Sequence, residues 1–222
     1  MINKKNNFTL IFLHGFLGDS TDWDFIKDFN DIWLNYNCLE IDLPGHGKFL
    51  PHENLPEYSE DFVIKTIDDI IKKHESDKII LIGYSLGARA ALSYACQYPT
   101  ALKGLVLESG TAGITDLIER KDRQAKDYSL YLELTDNFDK FINNWYNSPI
   151  FGSLSQKSII KDFLIQKRKN NNPKEAGKLL TGFSQGIMKP KWDYLKSLSI
   201  PTLLITGELD KKYTEINKKM NM

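Results

Sequence analysis

Residues 78–97 read as a strand, a tight turn and a helix in immediate succession. KIILI (78–82) is a continuous β-rich apolar run, and Gly83-Tyr84-Ser85-Leu86-Gly87 turns the chain. A stretch rich in small residues (Ala88, Ala90, Ala91, Ala95) then runs to about Gln97, where Pro99 stops it. Four more runs read as buried strands: FTLIFL (8–13), NCLEI (37–41), GLVLES (104–109) and PTLLIT (201–206). A helix is expected from about Tyr58 to His74, with Phe62, Ile67, Ile70 and Ile71 near helical spacing. Strands separated by helices imply an α/β chain, a mostly parallel sheet with both faces covered. From about Ala112 to Pro190 the alternation stops. That segment holds helical patches, Trp145, Phe151 and the polar run KRKNNNPKE (167–175), and no convincing strand. It reads as a helical cap inserted over one end of the sheet, within a single domain spanning 1–222. Its Lys/Asn richness reads as compositional bias without coded function.

The bulk composition excludes some classes. Twenty-nine basic and 29 acidic residues cancel, so nothing argues for nucleic acid or an anionic membrane surface as a partner. No apolar run approaches the ~20 residues of a membrane span. The basic start followed by FTLIFL lacks a small-residue cleavage site and leads straight into His14-Gly15, so it reads as a first strand in preference to a signal peptide. Cys38 and Cys96 have no CxxC spacing and read as reduced core residues of a cytoplasmic protein.

Gly83-Tyr84-Ser85-Leu86-Gly87, between strand and helix, has the context of a nucleophile elbow, which lifts a serine hydroxyl above the sheet edge. The alternative is a merely structural turn. His14-Gly15-Phe16 follows the first strand, where such folds place a second oxyanion-hole amide. Those amides would be Phe16 and Leu86. His14 reads as a hydrogen-bonded turn histidine, and His46, in Asp42-Leu43-Pro44-Gly45-His46-Gly47, as structural too. Asp210, in Gly207-Glu208-Leu209-Asp210 past the last strand, stands where the acid of a Ser…Asp…His order is expected, against a solvated loop aspartate. The base is the difficulty. His14, His46, His52 and His74 all precede Asp210, and no histidine follows it. Either the chain lacks a final strand, a histidine loop and a last helix, or an early histidine substitutes. The first reading expects an unpaired last strand and exposed apolar surface.

Only four of the 29 basic residues are arginines; the other 25 are lysines. Where lysine serves solubility, an arginine points to its planar fork, which grips carboxylates bidentately. Arg89 lies one helical turn past Ser85. Arg120, Arg123 and Arg168 lie in the cap. A serine below several guanidinium groups expects a small polyanion, whereas a simple esterase pocket is lined by apolar groups. Surface ion pairing is the alternative, evenly weighted for Arg120.

FLHGFLGDSTDW, IDLPGHG, LIGYSLGARAAL, RQAKD, NNWYNSPIFGSL, KRKNNN and TGELDKKY, in that order, resemble the 2-succinyl-6-hydroxy-2,4-cyclohexadiene-1-carboxylate synthase family of menaquinone biosynthesis. The resemblance runs from about Phe8 to the last residue. It implies an α/β-hydrolase fold carrying a lyase. The family eliminates pyruvate from 2-succinyl-5-enolpyruvyl-6-hydroxy-3-cyclohexene-1-carboxylate without metal or organic cofactor. By that likeness Ser85 and Asp210 are catalytic, and the Phe16 and Leu86 amides hold the anion. Arg89, Arg123 and Arg168 hold carboxylates, while Tyr84 and Trp145 line the pocket. The family's histidine after the Asp, and its closing helix, have no counterpart here, so the 222-residue chain is expected to be weakly active or inactive. The rivals are an esterase or thioesterase on the same scaffold and a binding module that has lost its base.

Overall fold

A computed structural model of the chain describes residues 7–49, 51, 54–55, 57–74 and 78–221. Five strands, β1 (Thr9–Leu13), β2 (Asn37–Ile41), β3 (Ile79–Tyr84), β4 (Leu102–Glu108) and β5 (Thr202–Ile205), form one parallel sheet in the order β2-β1-β3-β4-β5. A 3-10 stretch (Ser20–Asp28) and α1 (Asn30–Asn35) join β1 to β2. Helices α2 (Glu60–Lys73) and α3 (Leu86–Gln97) flank β3. Between β4 and β5 stand only helical elements among the described residues: α4 (Leu117–Asp136), α5 (Phe138–Tyr146), a 3-10 stretch (Pro149–Gln156), α6 (Ser158–Arg168), α7 (Pro173–Gly182) and α8 (Trp192–Ser197). Helix α9 (Lys211–Met220) follows β5.

Local chemistry explains the elements. Ser59 caps α2 by accepting from the Phe62 amide, Glu60 and Asp61 face the positive helix end, and Lys72 and Lys73 the negative one. Its buried stripe is Val63, Ile64, Ile67 and Ile71, while Phe62 and Ile70 are half-buried. Every residue of α3 from Leu86 to Ala95 is buried. Its small side chains let the sheet approach closely: a Cβ on Gly110 would lie 2.9 Å from the Ala88 Cβ. The main core joins Ile11, Leu13, Leu81, Leu105 and Leu107 of the sheet to α2, α3 and Phe183.

Two expectations need correcting. The last strand is not buried: β5 is the sheet edge, with Leu203 56% and Ile205 40% exposed. Nor is the Lys/Asn-rich run bland. Asn171 is buried and donates to the Leu17 carbonyl at 2.8 Å, and Asn172 caps α7 through the Lys174 and Glu175 amides. Asn171 thus docks the cap onto the loop after β1, and Asn172 starts the next cap helix.

The chain leaves β1 toward β2 on one side and returns through β3, β4 and β5 on the other. The sheet therefore has its topological switch between the ends of β1 and β3, where open α/β sheets place ligands. Leu13 pairs with Gly83 there. A Cβ on Gly87 would come within 2.2 Å of the Leu13 carbonyl oxygen, and one on Gly83 within 2.3 Å of the Gly87 carbonyl oxygen. Gly87→Ala is expected to lower unfolding free energy by about 2 kcal/mol or more. Gly207→Ala, whose Cβ meets nothing within 4 Å, should stay within about 0.5 kcal/mol of the parent. Urea unfolding of both variants checks this; equal stabilities would mean that the close approach costs nothing to open.

Candidate active site

Ser85 stands between β3 and α3 with φ 53° and ψ −105°, a conformation that L-residues rarely hold and that typically costs of order 1–3 kcal/mol. Its amide donates to the Glu108 carbonyl at 2.8 Å, which ties the turn to the end of β4. Among the described residues its hydroxyl has no hydrogen-bond partner. As the first residue of α3, Leu86 has no intrahelical acceptor for its N–H. The Phe16 amide is likewise uncommitted among the described residues. Gly15 brings the two loops together: its missing Cβ would lie 2.8 Å from the Tyr84 ring and 3.6 Å from the Ser85 Cβ. Two free amides and a strained hydroxyl thus gather at the switch point, beside a positive helix end.

The β1 loop is held by a reciprocal pair of histidines. His14 Nε2 accepts from the Leu43 amide and His46 Nε2 from the Leu17 amide, each at 3.0 Å. With Nε2 accepting, each ring carries its proton on Nδ1, facing the Gly15 and Pro44 carbonyls. Both rings are buried and neutral. Burial, joined by the neighbouring His14, lowers His46 to about 3, and burial lowers His14 too. All four ring nitrogens are occupied, so neither histidine is free to take a proton from Ser85. His74 caps the C-terminal end of α2, where the chain heads for the start of β3, the sheet edge opposite Ser85. His52 lies outside the described residues.

Asp210 caps α9 by accepting from the Tyr213 amide at 3.1 Å. It comes from the loop after β5, two strands from Ser85 across β4, a spacing of about 10 Å. Tyr84 is 39% exposed, and burial, then the nearby Glu108 carboxylate, push its hydroxyl up to about 12. Trp145 lies edge-on to Phe16 at 5.5 Å and stacks on Phe141 at 5.8 Å, so the cap's aromatic cluster rests directly on the β1 loop.

The four arginines have four different settings. Arg120 donates from Nε to the Gly186 carbonyl and from Nη2 to the Ile187 carbonyl, stitching α4 to the segment after α7. Arg168 is 7% exposed; its two terminal nitrogens grip Asp22 bidentately at 2.7 Å each, and Nε donates to the Tyr146 hydroxyl. Burial works against its charge, but Asp22 and Tyr146 outweigh it and its pKa is raised; Asp22 is lowered in return, against its own burial. Arg123 uses only Nε, on Asp127. Arg89 is 6% exposed and forms no ion pair among the described residues. Its Nη1 donates to the Phe183 carbonyl at 2.8 Å, and its guanidinium carbon lies 5.1 Å from the Phe183 ring centroid. Burial, then the charge of Arg123, bring its pKa down to about 10. No group of three or more His, Cys, Asp and Glu among the described residues is placed to hold a metal.

The partners Asp22, Tyr146, Asp127 and Ser184 escaped the sequence reading. Asp127 alone had a local signal, four residues past Arg123 on one helix face.

Known proteins share the fold and much of the sequence. The α/β hydrolase fold family model matches residues 9–217. The 2-succinyl-6-hydroxy-2,4-cyclohexadiene-1-carboxylate synthase of Enterobacter sp. (strain 638) is 32% identical over 208 residues, 93% of this chain and 78% of the relative. That of Serratia proteamaculans (strain 568) is 30% identical over 211 residues, 94% and 80%. The chain belongs to the α/β hydrolase fold and, within it, to this synthase family. The solved structure of MenH from S. aureus superposes with a TM-score of 0.90 at 34% identity, covering 98% of this chain and 82% of that one. No helix of the described residues is long and apolar enough to cross a membrane.

The neutral histidines make a pH prediction. Unfolded, they titrate near 6.5; folded, His46 does so at about 3. Between those values the unfolded chain binds more protons. The histidine contribution is therefore complete above pH 6.5 and is lost as the pH falls toward 3. His46→Gln keeps an acceptor for the Leu17 amide and does not titrate. Urea midpoints at pH about 7 and about 4.5 should fall less for this variant than for the parent; an equal fall would mean that His46 is not held neutral.

Proposed function

We propose that the chain eliminates pyruvate from 2-succinyl-5-enolpyruvyl-6-hydroxy-3-cyclohexene-1-carboxylate, yielding the cyclohexadiene carboxylate of its relatives' names, in menaquinone biosynthesis. The observation that carries this reading is Arg89: a residue one helical turn past Ser85 whose guanidinium is buried with no acidic partner among the described residues. A cation kept dry and unpaired is costly unless an anion completes it, and an esterase pocket would be apolar there.

The roles follow from position. Ser85, its own hydroxyl proton passed to an imidazole base or to solvent, takes the ring proton; the ring C–O bond breaks, and the released enolate takes a proton from solvent to become pyruvate. The Phe16 and Leu86 amides and the α3 dipole stabilise the developing anion. Arg89 and the free end of Arg123 hold carboxylates. Arg168, whose terminal nitrogens each keep one further N–H beyond Asp22, adds a third contact. Tyr84 and Trp145 close the sides. The reaction needs no metal or organic cofactor, and by the family's chemistry it is cytoplasmic, with a small polycarboxylate as the substrate. Asp210 is the acid that would orient an imidazole bridging the gap to Ser85. The histidines described in the structure do not fill that place, and a chain relying on them alone abstracts the proton slowly.

Pyruvate release coupled to lactate dehydrogenase tests the reading. Slow release, raised by added imidazole and abolished in Ser85→Ala, is the expected result; a base deficit of this kind costs about 100-fold or more. Hydrolysis of p-nitrophenyl esters without pyruvate release, or a Ser85→Ala variant as active as the parent, would overturn it.

A further inference from the structure

Helix α4 is exposed along most of its length, and its two buried residues are Asp127 and Leu134. A leucine needs no special reason to be buried; an aspartate at 1% exposure does. Asp127 receives three hydrogen bonds. Arg123 Nε donates to both of its oxygens at 2.9 Å, and the Ser184 hydroxyl donates to Oδ2 at 2.7 Å. The Ser184 oxygen in turn accepts from the Gly186 amide at 3.0 Å. Ser184 follows Phe183 directly, and Phe183 holds Arg89 by its carbonyl and its ring. One short segment after α7 thus fixes both guanidinium groups, Arg89 through backbone and ring, Arg123 through Asp127.

The contact is made on one side of the guanidinium only. Asp127 occupies Nε and leaves both terminal nitrogens of Arg123 without a partner among the described residues. An ion pair serving stability alone would gain from the bidentate fork that Asp22 makes with Arg168. A grip on Nε instead locks the side chain while keeping the fork open, so the rotamer freedom otherwise lost on binding is lost beforehand. The negative charge of Asp127, paired with Arg123, also acts on Arg89 and offsets the repulsion between the two cations.

We propose that Asp127, held by Ser184, is a positioning residue: it orients Arg123 so that its terminal nitrogens face the substrate carboxylate shared with Arg89. The inference rests on the reading that these two arginines bind a polycarboxylate.

Titration calorimetry with 2-succinyl-6-hydroxy-2,4-cyclohexadiene-1-carboxylate as the ligand tests it in a double-mutant cycle, with circular dichroism to check folding. Asp127→Asn is expected to weaken binding by about tenfold. In an Arg123→Ala background the same substitution should change affinity by no more than about twofold. A part confined to scaffolding would weaken binding equally in both backgrounds, and that result overturns the proposal, as does a folded Asp127→Asn that binds like the parent. Should Asp127→Asn not fold, Ser184→Ala carries the comparison. It should weaken binding about threefold in the parent and leave Arg123→Ala unchanged; equal affinity in the parent background overturns the proposal. Failure of the parent itself to bind removes the functional reading and this inference with it, whereas parent binding insensitive to Asp127 removes this inference alone.

Discussion

The structure depends on one close approach, the start of α3 pressed against the ends of β1 and β3. Gly87 lets that helix ride on the Leu13 carbonyl, and Gly83 lets the turn fold back on Gly87. The strain collects at Ser85, whose left-handed φ is tolerable only because α3 is buried along its length and its amide is tied to Glu108. The same approach leaves the Leu86 N–H pointing outward and sets it near the β1 loop, so a distorted backbone and a free pair of amides have one cause. The loop that supplies the second amide is held by two neutral histidines, which donate and accept without adding charge to the site.

Charge placement follows from that neutrality. With the histidines silent, the field near the elbow is set by the arginines and their partners. The cap meets the β1 loop through Asp22, which takes both Arg168 and Lys167, and through Asn171 on the Leu17 carbonyl. Those contacts latch the cap. On the α4 and α7 side the pairing is leaner: among the described residues Arg123 has one anchored nitrogen, and Arg89 meets the Phe183 carbonyl and ring and the Met188 sulfur, with no carboxylate. The positive charge that the composition cannot supply globally thus stands locally, on the guanidinium groups of Arg89 and Arg123.

Much of this was legible from residue order. The five strands, α2, α3 and the elbow are local statements of propensity and turn chemistry, and each lies within a few residues of its expected place. The rarity of arginine pointed to positions with specific partners, but not to what those partners were. Asp22 and Arg168 are 146 residues apart, and no periodicity encodes such a pair. The asparagines of KRKNNN read as bias because docking onto Leu17 is a tertiary contact. The β5 run read as buried because an apolar strand has the same composition at a sheet edge as in its centre.

The contrast between Arg89 and Arg168 also bears on the proposed preference for an anion. Both are nearly as buried, yet Arg168 has its pKa raised and Arg89 has its own brought down to about 10. A guanidinium lowered by that much is still protonated at neutral pH, so its charge persists without a partner. Arg168 has its anion built in and its geometry fixed before any ligand arrives. Arg89 is held in place by contacts that do nothing to neutralise it. A neutral ester beside Arg89 would leave that charge as it stands, while a carboxylate would offset its desolvation at the moment of binding. Under the proposed function, selectivity for an anion rests on Arg89, which has no acidic partner among the described residues, more than on the number of arginines in the chain.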